Sequence, residues 1–103
     1  MPKSMKAMRF PEAWRAEVVE VPMPAAGPNE VLIRVRAAGI CASDVASFKG
    51  QHDRRRPPVI TGHELAGEVV GIGSGVESAW LGERVAVEPH VGCGACAYCR
   101  GGE

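Results

Sequence analysis

Two groups of residues in this chain have the types and spacing that chemistry requires. The first is the run "GCGACAYCRGGE", which sets Cys93, Cys96 and Cys99 at even intervals. Three thiolates that close together supply most of a tetrahedral zinc site, which when structural takes four ligands. The second group is split between "GICASD", with Cys41, Ser43 and Asp44, and "GHELAG", with His63 and Glu64. A thiolate, an imidazole and a carboxylate form a donor set of borderline softness that suits zinc. Asp44 could accept a hydrogen bond from the far ring nitrogen of a metal-ligating histidine. Ser43 could carry a proton away from a substrate hydroxyl whose acidity the metal raises. Taken singly, Cys41 suits a small core residue and His63 a half-buried histidine just as well. Spacing alone leaves open whether Cys41 meets His63 or joins the other three thiols in one all-cysteine site.

The elements that must position these residues are mostly strands. Alternation and β-branched content predict strands over Arg15 to Val21, Glu30 to Ala37 and Glu83 to Pro89. A further strand, broken by glycines that permit bends, is predicted over His63 to Gly73. The cluster "PMPAAGPN" separates the first two as a loop. Helix signals are scarce, and the best is "SDVASFKG", where Ser43 or Asp44 would cap a short turn ending at Gly50. Short strands with Gly and Pro punctuation and little helix predict a mainly β fold, a small barrel or sandwich. The run "DRRRPP", Asp53 to Pro58, reads as a solvated loop.

At 103 residues the chain is one domain at most. Lysine plus arginine equals aspartate plus glutamate at 12 each, so nothing in the charge favours nucleic acid as a partner. No apolar run approaches a membrane span, and "MPKSMKAMRF" lacks the apolar stretch of a signal peptide. A cytoplasmic location is expected. In that reducing compartment four cysteines point to metal binding before disulfides.

The stretch "PAAGPNEVLIRVRAAGICASD", the set Gly62, His63, Glu64, Gly67, Gly73 and Val76, then "GERVAVEP" and "CGACAYCRGG", together resemble the medium-chain, zinc-dependent alcohol dehydrogenase family. The resemblance runs from about Lys6 to the last residue with each segment near its usual spacing. It implies an incomplete GroES-like β-barrel with one or two short helical turns. It also implies that Cys41, His63 and Glu64 serve a catalytic zinc, with Ser43 starting the proton relay and Asp44 steadying the histidine. Cys93, Cys96 and Cys99 would be three of the four thiolates of a structural zinc. One departure is Ala46, where many members carry the histidine at the outer end of the relay; His52 would replace it only if its loop curls back.

The family's fourth structural cysteine would fall after Glu103, and its Rossmann domain later still. A βαβ unit alone needs about 30 residues. The "GIGSGV" run has Val76 where a dinucleotide fingerprint needs its third glycine and no helix to follow, so no cofactor-binding residues are expected here. Residues 1–103 are therefore expected to be the N-terminal part of a GroES-like catalytic domain, inactive alone. In the parent enzyme, zinc and NAD or NADP would serve oxidation of a small alcohol or polyol. The alternative is a stand-alone zinc-binding or scaffolding module. A thiol redox module built on "CGAC" lacks the βαβ setting it needs. The incomplete thiolate set predicts that Val91 to Glu103 forms a loose loop, poorly ordered or metal-free unless another chain supplies a ligand, and apolar unpaired strand edges are expected to favour a homodimer or an aggregate.

Overall fold

The computed structural model describes residues 2–102. Its elements in chain order are β1 (Ser4–Phe10), β2 (Glu17–Pro22), β3 (Val31–Ala38), α1 (Ala42–Phe48), β4 (Val59–Ile60), β5 (Leu65–Ile72), β6 (Arg84–Ala86) and α2 (Ala97–Arg100), with a 3-10 turn at Ser78–Trp80 between β5 and β6. They form two three-stranded antiparallel sheets, β2-β1-β4 and β3-β5-β6. The mainly β fold with two short helices is as expected, and the described strands close no barrel.

Each predicted strand is present, shifted or trimmed at its ends. β2 keeps the alternation read from its sequence, with Glu17, Val19 and Val21 half-buried and Val18 and Glu20 exposed. β6 is shorter than predicted: Arg84, Val85 and Ala86 pair with Glu68, Gly67 and Ala66, and Val87 adds one bond to the Leu65 carbonyl. Pro89 has no N–H to continue the ladder. Two strands lack a sequence signal. In β1 only Phe10 is buried and only Ala7 half-buried, a pattern with no period of two. β4 is two residues long and exists through its pairing with Arg9 and Phe10.

The β3–β5 pair holds the second sheet together, and its register matters most for the site. It runs from Val31 opposite Ile72 to Ala38 opposite Leu65, with shifts between Leu32 and Ile33 and between Val35 and Ala37. Gly67 lies where a Cβ would overlap the Arg34 carbonyl, so this close approach requires glycine. Arg36 Nη2 lies 2.7 Å from Glu68 Oε1 across the pair.

Helix α1 connects the two sheets. It leaves the end of β3, and its Phe48 ring packs edge-on against Phe10 of β1 at 5.4 Å and against Trp14 at 5.6 Å. Such pairs contribute about 0.5–1.5 kcal/mol each beyond their area. Among the described residues deep burial is confined to a few: Phe10 and Val69 among the apolar side chains, Asp44 and Ser47 among the polar, and the glycine Gly67. Large side chains such as Met8, Trp14, Ile40 and Tyr98 stay exposed. Among the described residues no helix is long and apolar enough to cross a membrane.

Candidate metal centres

The chain leaves the β3–β5 ladder at the place where the first donor cluster forms. Beyond the last pair, Ala38 with Leu65, the Gly39 N–H still donates to the Glu64 carbonyl at 2.7 Å. Cys41 follows on one strand's exit and His63 precedes the other strand's entry. Antiparallel pairing therefore brings together residues far apart in sequence. The donor atoms of Cys41, His63 and Glu64 all lie within 4.8 Å of one another, with Cys41 and His63 half-buried and Glu64 exposed. His63 and Glu64 also line a shallow hollow of about 460 Å³, whose other walls include Leu65, Ala66, Val87 and Pro89.

Cys41, and neither Ser43 nor Asp44, is the N-cap of α1. Asp44 sits in the first turn, and its Oδ2 accepts the Cys41 backbone N–H at 3.1 Å. This is the reverse of the cap read from the sequence: the acid reaches back from inside the helix to satisfy the residue that begins it. The same carboxylate faces the histidine, with Oδ1 at 3.6 Å from His63 Nδ1, which leaves Nε2 as the ring's free donor atom. Ser43 lies half-buried on the first turn, two residues from Cys41.

The ring of His52 is engaged by its own loop. Its Nδ1 accepts the backbone N–H groups of Arg54 and Arg55, both at 3.0 Å. Its Nε2 lies 3.4 Å from Arg55 Nη2. Arg55 in turn places Nη1 at 3.3 Å from Asp44 Oδ1. The run read as a solvated loop thus turns its middle arginine inward, while Arg54 and Arg56 remain exposed. Neither composition nor spacing marks Arg55, because its partner Asp44 belongs to a separate element.

The second cluster is local. Cys93, Cys96 and Cys99 bring their sulfurs within 4.8 Å of one another, with Cys93 and Cys99 at 3.9 Å. Two sulfurs bound to one tetrahedral zinc at about 2.3 Å lie about 3.8 Å apart, so the donor spacing fits that ion. Gly94 takes a positive φ of 80°, the turn that folds the chain around Cys93. The backbone N–H groups of Ala95 and Cys96 then point at Cys93 Sγ, at 3.5 and 3.4 Å. Cys96 caps α2 and its sulfur accepts the Cys99 N–H at 3.5 Å.

The Ala95 N–H, then that of Cys96, followed by the side chains of Cys96 and Cys99, hold the Cys93 thiol down to about 7. A loose loop was expected here, and the structure gives a turn and a one-turn helix organised by bonds to sulfur. Just upstream, Glu88 Oε1 accepts the His90 N–H at 3.0 Å and lies 2.6 Å from His90 Nδ1. These contacts, the backbone one first, hold the Glu88 carboxyl below its ordinary range.

All four cysteines are free, and they form no single four-thiol site. Cys41 groups with His63 and Glu64, apart from the trio.

Residues 27–103 match the family described as the alcohol dehydrogenase GroES-like domain. An L-threonine 3-dehydrogenase of Pyrococcus abyssi is 45% identical over 104 residues, covering 98% of this chain and 30% of the relative. An alcohol dehydrogenase of E. coli CFT073, solved with NADH, superposes with a TM-score of 0.88 at 38% identity, covering 98% of this chain and 29% of that one. A thermostable alcohol dehydrogenase of Pyrobaculum aerophilum, solved with cobalt and zinc, gives a TM-score of 0.85 at 36% identity over 96% of this chain and 30% of that one. The chain thus spans about 30% of the length of the relatives it matches.

Proposed function

Because the chain belongs to the alcohol dehydrogenase GroES-like domain family, we propose that it is the zinc-bearing N-terminal part of the catalytic domain of a nicotinamide-dependent alcohol dehydrogenase. The observation that carries this reading is the meeting of Cys41, His63 and Glu64, with Asp44 behind the imidazole. Cys41 and His63 would hold the catalytic zinc with Glu64 within reach, and Cys93, Cys96 and Cys99 would hold a structural one. Zinc at the first site supplies Lewis acidity, which polarises an alcohol oxygen and raises its acidity.

The chain's own residues supply orientation and proton handling. Asp44 Oδ1 faces His63 Nδ1 at 3.6 Å, where it would accept the ring proton and keep the other ring nitrogen available as a ligand. Ser43, on the adjacent helical turn, takes the proton of the substrate hydroxyl. Ala46 carries no group that can pass it on, and His52 Nδ1 is taken by the N–H groups of Arg54 and Arg55. NAD or NADP, when bound in the whole enzyme, would supply the hydride acceptor for the alcohol carbon; this chain contributes no assigned residue to it. The substrate class is a small alcohol or polyol. Exposed Val18 and Val35, on the edge strands β2 and β3, suit pairing with a second copy. Four free thiols suit a reducing compartment such as the cytoplasm.

Metal stoichiometry by native mass spectrometry tests the reading. Two zinc ions per chain are expected, with Cys41→Ser removing one and leaving the other. Loss of all tightly held zinc on Cys41→Ser, or no loss, would refute it. Zinc, NAD and a panel of alcohols supplied to the 103-residue chain alone are expected to give no turnover; sustained NADH formation would show that the cofactor is held here after all.

A further inference from the structure

The geometry points to Arg55 as a positioning residue that locks Asp44 behind His63 and so sets how the imidazole is presented to a metal. This rests on the reading of Cys41 and His63 as ligands.

Asp44 is 6% exposed. A carboxylate buried to that extent is costly unless it is paired and hydrogen-bonded. Its partners are few and each has a distinct part. Oδ2 takes the Cys41 N–H at 3.1 Å. Oδ1 faces both Arg55 Nη1 at 3.3 Å and His63 Nδ1 at 3.6 Å. A histidine that ligates a metal is neutral, so Arg55 is the cation that balances Asp44. With one oxygen tied to the backbone of a ligand residue and the other to a guanidinium, the carboxylate cannot rotate away. His63 Nδ1 then meets a fixed acceptor, which favours the tautomer protonated at Nδ1 and leaves the Nε2 lone pair for the metal.

The backbone of Arg55 is itself held: its N–H donates to His52 Nδ1 at 3.0 Å, and its Nη2 passes 3.4 Å from His52 Nε2. His52, Arg55, Asp44 and His63 thus form a chain of contacts from the loop to the ligand cluster. Removing the guanidinium leaves Asp44 buried without a countercharge and free to turn, and His63 loses its fixed acceptor.

The test uses the 103-residue chain carrying Cys93→Ser, Cys96→Ser and Cys99→Ser, so that only the Cys41 cluster is loaded. Cobalt(II) is titrated by its thiolate and d–d absorption, and the His63 tautomer of the zinc-loaded chain is read from long-range proton–nitrogen NMR. Arg55→Met is expected to weaken cobalt binding roughly 10- to 100-fold, the range for loss of a partner behind a metal ligand, and to abolish the uniform Nδ1-protonated signature. Arg55→Lys, which restores the charge at a contact that is not bidentate, is expected to recover most of both. Unchanged affinity and signature in Arg55→Met would overturn this inference and leave the ligand assignment standing. Equal losses in Arg55→Met and Arg55→Lys, with the tautomer intact, would show a merely structural role and also overturn it. If Arg55→Met loses its folded circular dichroism, Arg55→Lys decides alone, and failure to keep near-parental affinity and the Nδ1 proton refutes the inference. No cobalt binding by the parental triple-serine chain would refute the ligand assignment itself, and this inference with it.

Discussion

The metal-free cysteine lobe should behave as an acid of unusual strength for a surface thiol, and the prediction can be worked from the bonds around Cys93. An ordinary cysteine at 9.0 is about 1% thiolate at pH 7, since each unit is a factor of ten. Held at about 7, Cys93 is about half thiolate at the same pH, a gain of roughly 50-fold in the nucleophilic form. Burial contributes little, because the sulfur sits at the surface; the leading causes are the Ala95 and Cys96 N–H groups directed at it. Intrinsic nucleophilicity falls as acidity rises, so the gain in rate is smaller than the gain in thiolate.

The assay is iodoacetamide alkylation of the chelator-treated chain across pH 5–10, with mass spectrometry locating the modified cysteine. The rate at Cys93 is expected to reach half its plateau near pH 7. Ala95→Pro, which deletes the foremost donor, is expected to move that midpoint up. The sign for stability follows from the same shift. A depressed thiol pKa stabilises the folded lobe fully above the unfolded value, near 9, and that contribution is lost as pH falls through about 7. A Cys93 midpoint at 8.5 or higher would refute the claim that two backbone donors acidify this sulfur.

Two substitutions test the packing that carries the site. Gly67→Ala drives a Cβ into the Arg34 carbonyl and should break the β3–β5 register, lowering the urea midpoint and weakening metal binding at Cys41 while sparing the trio. Ser47 is 0% exposed and its hydroxyl has no hydrogen-bond partner among the described residues, so Ser47→Ala removes a desolvated polar group and is expected to raise stability by about 1 kcal/mol, read as a melting temperature higher by about 4–8 °C.

The strands that the sequence made legible are those with their own pattern. β2 and β3 alternate or carry β-branched runs, so a partner is not needed to recognise them. β1 was silent because its Met, Lys, Ala, Met, Arg, Phe run has no face; it becomes a strand by pairing with β2 over six positions and with β4 over two. The helix at residue 42 was visible as a polar run before a glycine, but its cap was misplaced. Asp44 has the chemistry of a cap, and its carboxylate is spent on the Cys41 N–H and the groups facing Oδ1.

The two metal clusters differ in the same physical way. Cys93, Cys96 and Cys99 are close in sequence, and one glycine turn with a single helical turn suffices to converge them. Such a site can be read from spacing because local backbone geometry fixes it. Cys41 and His63 converge only because Ala38 lies opposite Leu65, a pairing reached across two earlier register shifts in β3 that cancel one another. A shift of one residue in an antiparallel ladder turns every side chain to the other face. The spacing from Cys41 to His63 therefore carries no geometric information until the ladder is known. Arg55 lies one step further out, since it matters only through Asp44. Each added non-local contact removes a feature from what local pattern can show, and here the order is the cysteine trio, then the histidine, then the arginine behind it.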